Sequence, residues 1–470
     1  MTIDNASYAV DVTQFGAENL LPVTDGTVDD LEAAQLVFLC AAPETLTWNS
    51  ARELGIGDLE GCDYVAVAPE SMLLELQPLI EKRRSEGYNA KGVPLEQMLN
   101  SFGTGIFGPA GLVRLSRILQ PANLLLAAGT TYDCKNYEGM GTARGIPCGY
   151  VHVYEGLAAS DDLYTNGFNT AVGRLPARTA AELSNIVQKL IVYEPGGRVA
   201  MLADADDIGS DIDRFAELQH ELTDILPSTL IEATGRGTSD VRSELFATIQ
   251  NGAKLVTYQG HGGAEYLGYA GNRILGTEHC NSVPPSAWLL STCLTGSYIV
   301  NNPATPVLAR DLLVTPGNGA VTAFCSTRYG ESAVEHAIVR ESLQLMATGN
   351  ATWGDVFLHV KRTLAGTETT DIYTLLGDPA LSTVNLDEQR QIAILTPRAG
   401  EFGSSPVTIS FRLLGNGWDG KQLHVYYRRN SGLWHQITTV PAKVDTTDYE
   451  IQWIPPEDGA GYQIMIRETE

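Results

Sequence analysis

Leu255–Gly263 reads LVTYQGHGG, and Trp288–Gly296 reads WLLSTCLTG. Each is a short apolar run that ends at one reactive side chain among small residues, His261 in the first and Cys293 in the second. Apolar runs of this length read as buried strands. In an open α/β sheet the chemistry sits outside the carboxyl ends of the strands, where loops bring separate segments together. A thiol is a weak nucleophile until ionised, and an imidazole beside it can take its proton and return one to a leaving group. Gly262 and Gly263 leave room for a substrate backbone, and the amides of Gly262 and Cys293 are placed to hold an oxyanion. A single His or Cys at a strand end is usually a packing residue. Here both end successive strand-like runs, and both are followed by glycine-containing turns that packing does not require.

Outward from these two runs the chain alternates. DYVAVAP, ANLLLAAG, RVAMLAD, KLVTYQ, AWLLST and AVTAFCS read as strands. Between or beyond them, SMLLELQPLIEKRRSEG, PAGLVRLSRILQ, TAAELSNIVQKLIVYE, SDIDRFAELQHEL, SDVRSELFATIQ and SAVEHAIVRESLQLM read as amphipathic helices. Such alternation predicts a mostly parallel sheet flanked by helices. Near Leu386 the pattern changes to short alternating segments such as PVTISFRLL, QLHVYYRR and DYEIQWI, which predict a β-sandwich. The expected organisation is therefore an acidic segment over 1–60, a catalytic α/β domain over 61–385, and an immunoglobulin-like or fibronectin type III-like sandwich over 386–470.

The 470 residues carry a formal charge of −25, which argues against a nucleic-acid partner and permits basic ones. The first fifty residues hold eight acids and neither Lys nor Arg, and read as a solvated acidic arm. No apolar run is long enough to cross a membrane, and the start MTIDNASYAVDVTQF lacks the features of a secretory leader. A cytoplasmic protein is the expectation, or a secreted one if a leader precedes Met1. Seven cysteines without a CxxC pair do not form a disulfide framework.

YQGHGG at Tyr258–Gly263 and LLSTCLTG at Leu289–Gly296 resemble the histidine and cysteine motifs of the caspase-like cysteine peptidases, which include caspases, legumain, clostripain, separase and gingipains. Four further segments single out the gingipain family: YVAVAPESMLLELQPLIEKRRSEGYNAKGVPLEQML, LLLAAGTTYDCKNY, AVGRLPARTAAELSNIVQKLIVYE and LLGDPAL. The resemblance spans about Asp63 to Val384 and continues into an immunoglobulin-like domain.

The resemblance implies a cysteine endopeptidase with a caspase-like fold, acting through a thioester acyl-enzyme. It makes Cys293 the nucleophile, His261 the general base and acid, and Gly262 an oxyanion donor together with Cys293. In SDDLY, Asp161 or Asp162 matches the family's acid, which either orients the histidine or binds the substrate side chain; Glu155 is an alternative third member. Arg328, Tyr329 and Glu331 fall where gingipains build a wall of the specificity pocket. A pocket governed by Asp161 or Asp162 selects Lys or Arg, and one governed by Arg328 selects acidic residues; the basic preference is the expectation. Thr130 stands where the family commonly has Asp. The chemistry requires no cofactor, but Asp204, Asp206 and Asp207 in DADDIGSDID are candidate ligands for structural calcium, a metal that gingipain-like domains carry. The expected partners are a protein or peptide substrate and an inhibitory or regulatory protein. Two alternatives stay open: a caspase-like regulatory protease inside the cell, acting in defence or cell death, and an inactive binding module.

Overall fold

A computed structural model describes residues 6–11, 19–21, 37–41 and most of 56–469. Outside the described residues lie the remainder of the first 55, then 135, 140–144, 155, 207–213, 270, 301, 303, 350, 384–390, 398–404, 415–417, 419, 430–433, 444–447, 458 and 470. The chain divides into two compact units, residues 1–52 and 53–470. In the first, Ala6–Asp11 pairs antiparallel with both Asn19–Leu21 and Val37–Ala41. The acidic arm thus contains a small sheet where the charge pattern suggested only solvated chain.

The second unit is organised by ten strands: β1 (Tyr64–Ala68), β2 (Ala90–Pro94), β3 (Asn123–Leu126), β4 (Ala171–Arg174), β5 (Arg198–Ala203), β6 (Ser228–Glu232), β7 (Ala253–Gln259), β8 (Ser286–Ser291), β9 (Ala320–Ser326) and β10 (Tyr373–Leu376). They form one sheet in the order β6-β5-β7-β8-β9-β10-β4-β3-β1-β2. Every neighbouring pair is parallel except β9 and β10. That one antiparallel seam divides the sheet into two parallel halves of opposite direction. Helices must cover a parallel sheet, because each crossover lays one on a face. Every residue of β8 and β9 is accordingly buried, which is why both read in the sequence as continuous apolar runs.

The helices follow their local signals. Leu73–Ser85 stops before Gly87, which takes φ +99°, and Ala110–Leu119 starts after Pro109. Ala180–Val192 is capped by the Thr179 hydroxyl, which accepts the Glu182 amide at 3.2 Å. The helix expected over SDIDRFAELQHEL is described only over Phe215–His220.

Beyond the sheet, Gln391–Thr396, Val407–Leu414 and Asp448–Trp453 form one antiparallel sheet, and Gln422–Arg429, His435–Pro441 and Tyr462–Thr469 form another. Between them lies a separate core that includes Ile409, Phe411, Leu423, Val425 and Trp453. Two small sheets closing on their own apolar core agree with the expected sandwich.

Candidate active site

β7 and β8 are parallel neighbours in a register that pairs Gln259 with Ser291. The pairing runs one step further, since the Gly260 amide donates to the Ser291 carbonyl at 3.2 Å. His261 and Cys293 each lie two residues past these partners, so the register brings both to one end of adjacent strands. Adjacent strands lie about 4.8 Å apart. The two loops then touch at Gly262, where a Cβ would come within 2.4 Å of Thr292 Oγ1 and 3.3 Å of the Cys293 carbonyl oxygen. A side chain at 262 would force the histidine loop away from the cysteine loop.

The histidine is held by its backbone on both sides. Its amide donates to Asp204 Oδ2 at 3.0 Å, and its carbonyl accepts the Tyr258 hydroxyl at 2.7 Å and the Gly268 amide at 2.8 Å. Asp204 lies one residue past β5, level with Gly260, because Ala203 pairs with Gln259. Gly260 permits this approach, since a Cβ there would sit 2.2 Å from Asp204 Cβ. Burial raises the Asp204 carboxyl, while its bonds from the amides of Ala205 and His261 favour the ionised form. The imidazole packs edge-on to Phe215 and lies 4.2 Å from the Tyr269 ring, whose hydroxyl bonds Nε2 at 2.8 Å.

Cys293 is half-buried at the start of a tight turn. Leu294 follows it in the left-handed region at φ +62°, an unusual backbone for a branched side chain. The surrounding bonds impose it: the Leu294 amide donates to the Arg328 carbonyl at 3.0 Å, Thr295 to Cys293 at 2.7 Å, and Gly296 to Ser326 at 2.8 Å. Strain held in this way is a recurring feature of functional sites. By contrast Cys325 is fully buried in β9, and burial drives its thiol far up.

The acids expected at the site have ion-pair partners. Asp161 is 4% exposed and forms a two-pronged pair with Arg174, Oδ2 to Nε at 2.7 Å and Oδ1 to Nη2 at 2.8 Å, with the Tyr298 hydroxyl 3.3 Å from Oδ2. Arg174 also donates to the carbonyls of Ala128, Ile146 and Pro147. Asp162 Oδ2 pairs with Lys361 Nζ at 2.7 Å, and burial raises its carboxyl to about 6. Both acids expected to orient the histidine or bind a substrate side chain are thus engaged in ion pairs. They brace the hairpin Gly149–Val153/Gly156–Ser160 and the segment after Cys293 against the sheet. Glu155 lies outside the described residues.

Arg328 and Tyr329 follow β9, with Tyr329 56% exposed, and Gly156 of the hairpin approaches the Arg328 guanidinium. The Glu331 amide donates to Thr369 Oγ1 at 3.0 Å as the chain enters the helix Ser332–Met346. For calcium, both Asp204 oxygens already accept backbone amides, the Asp206 amide donates to Thr234, and Asp207 lies outside the described residues. Among the described residues no cluster of three potential ligands occurs, so the structure gives the calcium expectation no support.

No curated protein matches the chain. A solved structure of a protease matches with a TM-score of 0.54 at 12% identity, covering 86% of this chain and 96% of that one. At that identity the likeness speaks for the fold alone. Residues 58–384 match the model of peptidase family C25, a span that contains the whole ten-stranded sheet and both strand-end loops. The chain belongs to peptidase family C25, the gingipain family of cysteine endopeptidases.

Proposed function

We propose that this endopeptidase hydrolyses peptide bonds through a Cys293–His261 dyad. Cys293 Sγ attacks the scissile carbonyl as His261 takes the thiol proton, and the amides of Gly262 and Cys293 receive the oxyanion. The tetrahedral intermediate collapses to a thioester as the imidazolium protonates the leaving amine. Water, deprotonated by the same imidazole, then releases the acid and restores the thiol. The observation that carries this reading is the Gln259–Ser291 register with the close approach at Gly262, which unites the two loops.

The preference we propose is for cleavage after Lys or Arg. Its support is the net charge of −25, which raises the local concentration of cationic chains, rather than Asp161 or Asp162. Arg328 beside the hairpin favours a second reading, in which an acidic side chain is selected. A peptide library incubated with the purified protein tests both, with Cys293→Ala as the control. A profile led by Lys and Arg supports the first reading, and one led by Asp and Glu assigns the pocket to Arg328. Undiminished cleavage by Cys293→Ala would overturn the dyad.

A further inference from the structure

The helix Ala180–Val192 carries Glu182, Asn185 and Lys189 at the i, i+3 and i+7 spacing that puts all three on one face. That face holds the shorter helix Leu308–Val314 by a ladder of polar contacts. Glu182 pairs with Arg310, Asn185 Nδ2 donates to the Val314 carbonyl at 3.2 Å, and Lys189 Nζ donates to the Leu312 carbonyl at 3.0 Å. Lys189 also reaches the Asn318 carbonyl at 2.8 Å, and it is only 4% exposed. The last four carbonyls of a helix find no partner within it. Leu312 would look to residue 316 for an amide proton, but Pro316 has none. An ammonium at this end also suits the helix dipole.

The opposite end of the same helix meets the candidate site. Its first two amides, orphaned for the same reason, each take a carbonyl from one strand-end loop. Leu308 donates to Ala264 at 2.7 Å, and Ala309 donates to Thr295 at 3.1 Å. Ala264 stands three residues past His261, and Thr295 two past Cys293. The Thr295 amide in turn donates to the Cys293 carbonyl at 2.7 Å. Consecutive amides of a helix keep a fixed spacing, so a rod about 10 Å long sets the separation of the two loops. Leu308, Ala309, Leu312 and Leu313 are fully buried, and close packing around them leaves the rod no room to shift.

We propose that Lys189 and Asn185 are positioning residues for the peptidase reaction: they fix the far end of this helix, and the helix sets the spacing of the His261 and Cys293 loops. The catalytic consequence rests on the dyad proposed above; the mechanical coupling does not. The segment AVGRLPARTAAELSNIVQKLIVYE thereby gains a role that no local pattern declares, because Lys189 and Asn185 find their partners 123 and 129 positions further on.

Lys189→Met keeps the length of the side chain and removes its donors. Assayed well below its unfolding temperature, with the peptide that the library selects, it should lower kcat roughly fivefold or more and change KM by less than about twofold. Hydrogen exchange at the Leu308 and Ala309 amides should quicken roughly tenfold or more. Leu190→Ala opens a cavity in the same long helix outside the ladder, and it should lower the melting temperature without either effect. A folded Lys189→Met protein with wild-type kcat, or with unchanged exchange at those two amides, would overturn the proposal. So would an equal loss of kcat in Leu190→Ala, which would reduce the effect to general instability. If Lys189→Met does not fold, Asn185→Leu, at a half-buried position, is read by the same two measurements against the same outcomes. Failure of the dyad would show separately, as cleavage by Cys293→Ala, and would leave the exchange result standing.

Discussion

At the scale of the residue, two side chains were legible because their surroundings are local. His261 and Cys293 are each announced by an apolar run and a glycine turn within a few positions. Cys293→Ala should abolish peptide hydrolysis while leaving the melting temperature within a few degrees, because it removes one sulfur at a half-exposed strand end. Asp204 was legible only as one of a run of acids. What places it is the register of β5 against β7, a pairing that no single stretch reveals. Asp204→Asn turns one of two backbone acceptors into a donor facing an N–H. It should cost about 1–3 kcal/mol of stability and lower kcat by roughly tenfold or more with a smaller change in KM. Urea unfolding and steady-state kinetics read the two effects, and an unchanged kcat would refute the clamp on His261.

Among the elements, β1, β3, β5, β7, β8 and β9 were read as strands because burial makes them almost continuously apolar. The strands Ala90–Pro94, Ala171–Arg174, Ser228–Glu232 and Tyr373–Leu376 escaped that reading, since AKGVP, AVGR, STLIE and YTLL are short or carry too little apolar pattern. The pairing of Asp161 with Arg174 escaped as well, because the acid stands in a polar stretch and meets its partner only after the chain has turned back into the sheet. Asp161→Asn leaves the fully buried Arg174 with an uncompensated charge, which should cost about 3–5 kcal/mol in chemical unfolding. If Asp161 instead serves the chemistry, its loss should reduce kcat with little change in stability.

For the molecule as a whole, the sequence foretold a parallel sheet and a terminal sandwich, but not the reversal at β9 and β10, which depends on contacts across some fifty residues. Because the sandwich has its own core, a protein ending near Val384 should keep a reactive Cys293 and lose some solubility. Loss of alkylation in a folded truncated protein would refute that independence. The charge of −25 makes a second prediction, that kcat/KM for a cationic peptide falls as salt is raised from about 0.05 to about 0.5 M, whereas a neutral peptide is little affected.

The seam also dictates when the enzyme can come into being. β10 is the last of the ten strands to be synthesised, yet it takes the middle place that links the two halves, between β9 and β4. A chain emerging from the ribosome can assemble β1 to β4 and then β5 to β9, but the halves stay unjoined until residues 373–376 are free. Tyr373, which bonds the strand leading to Cys293, arrives with that same segment. The strand end that carries Cys293 therefore gains its last neighbours only when almost the whole peptidase portion has been made.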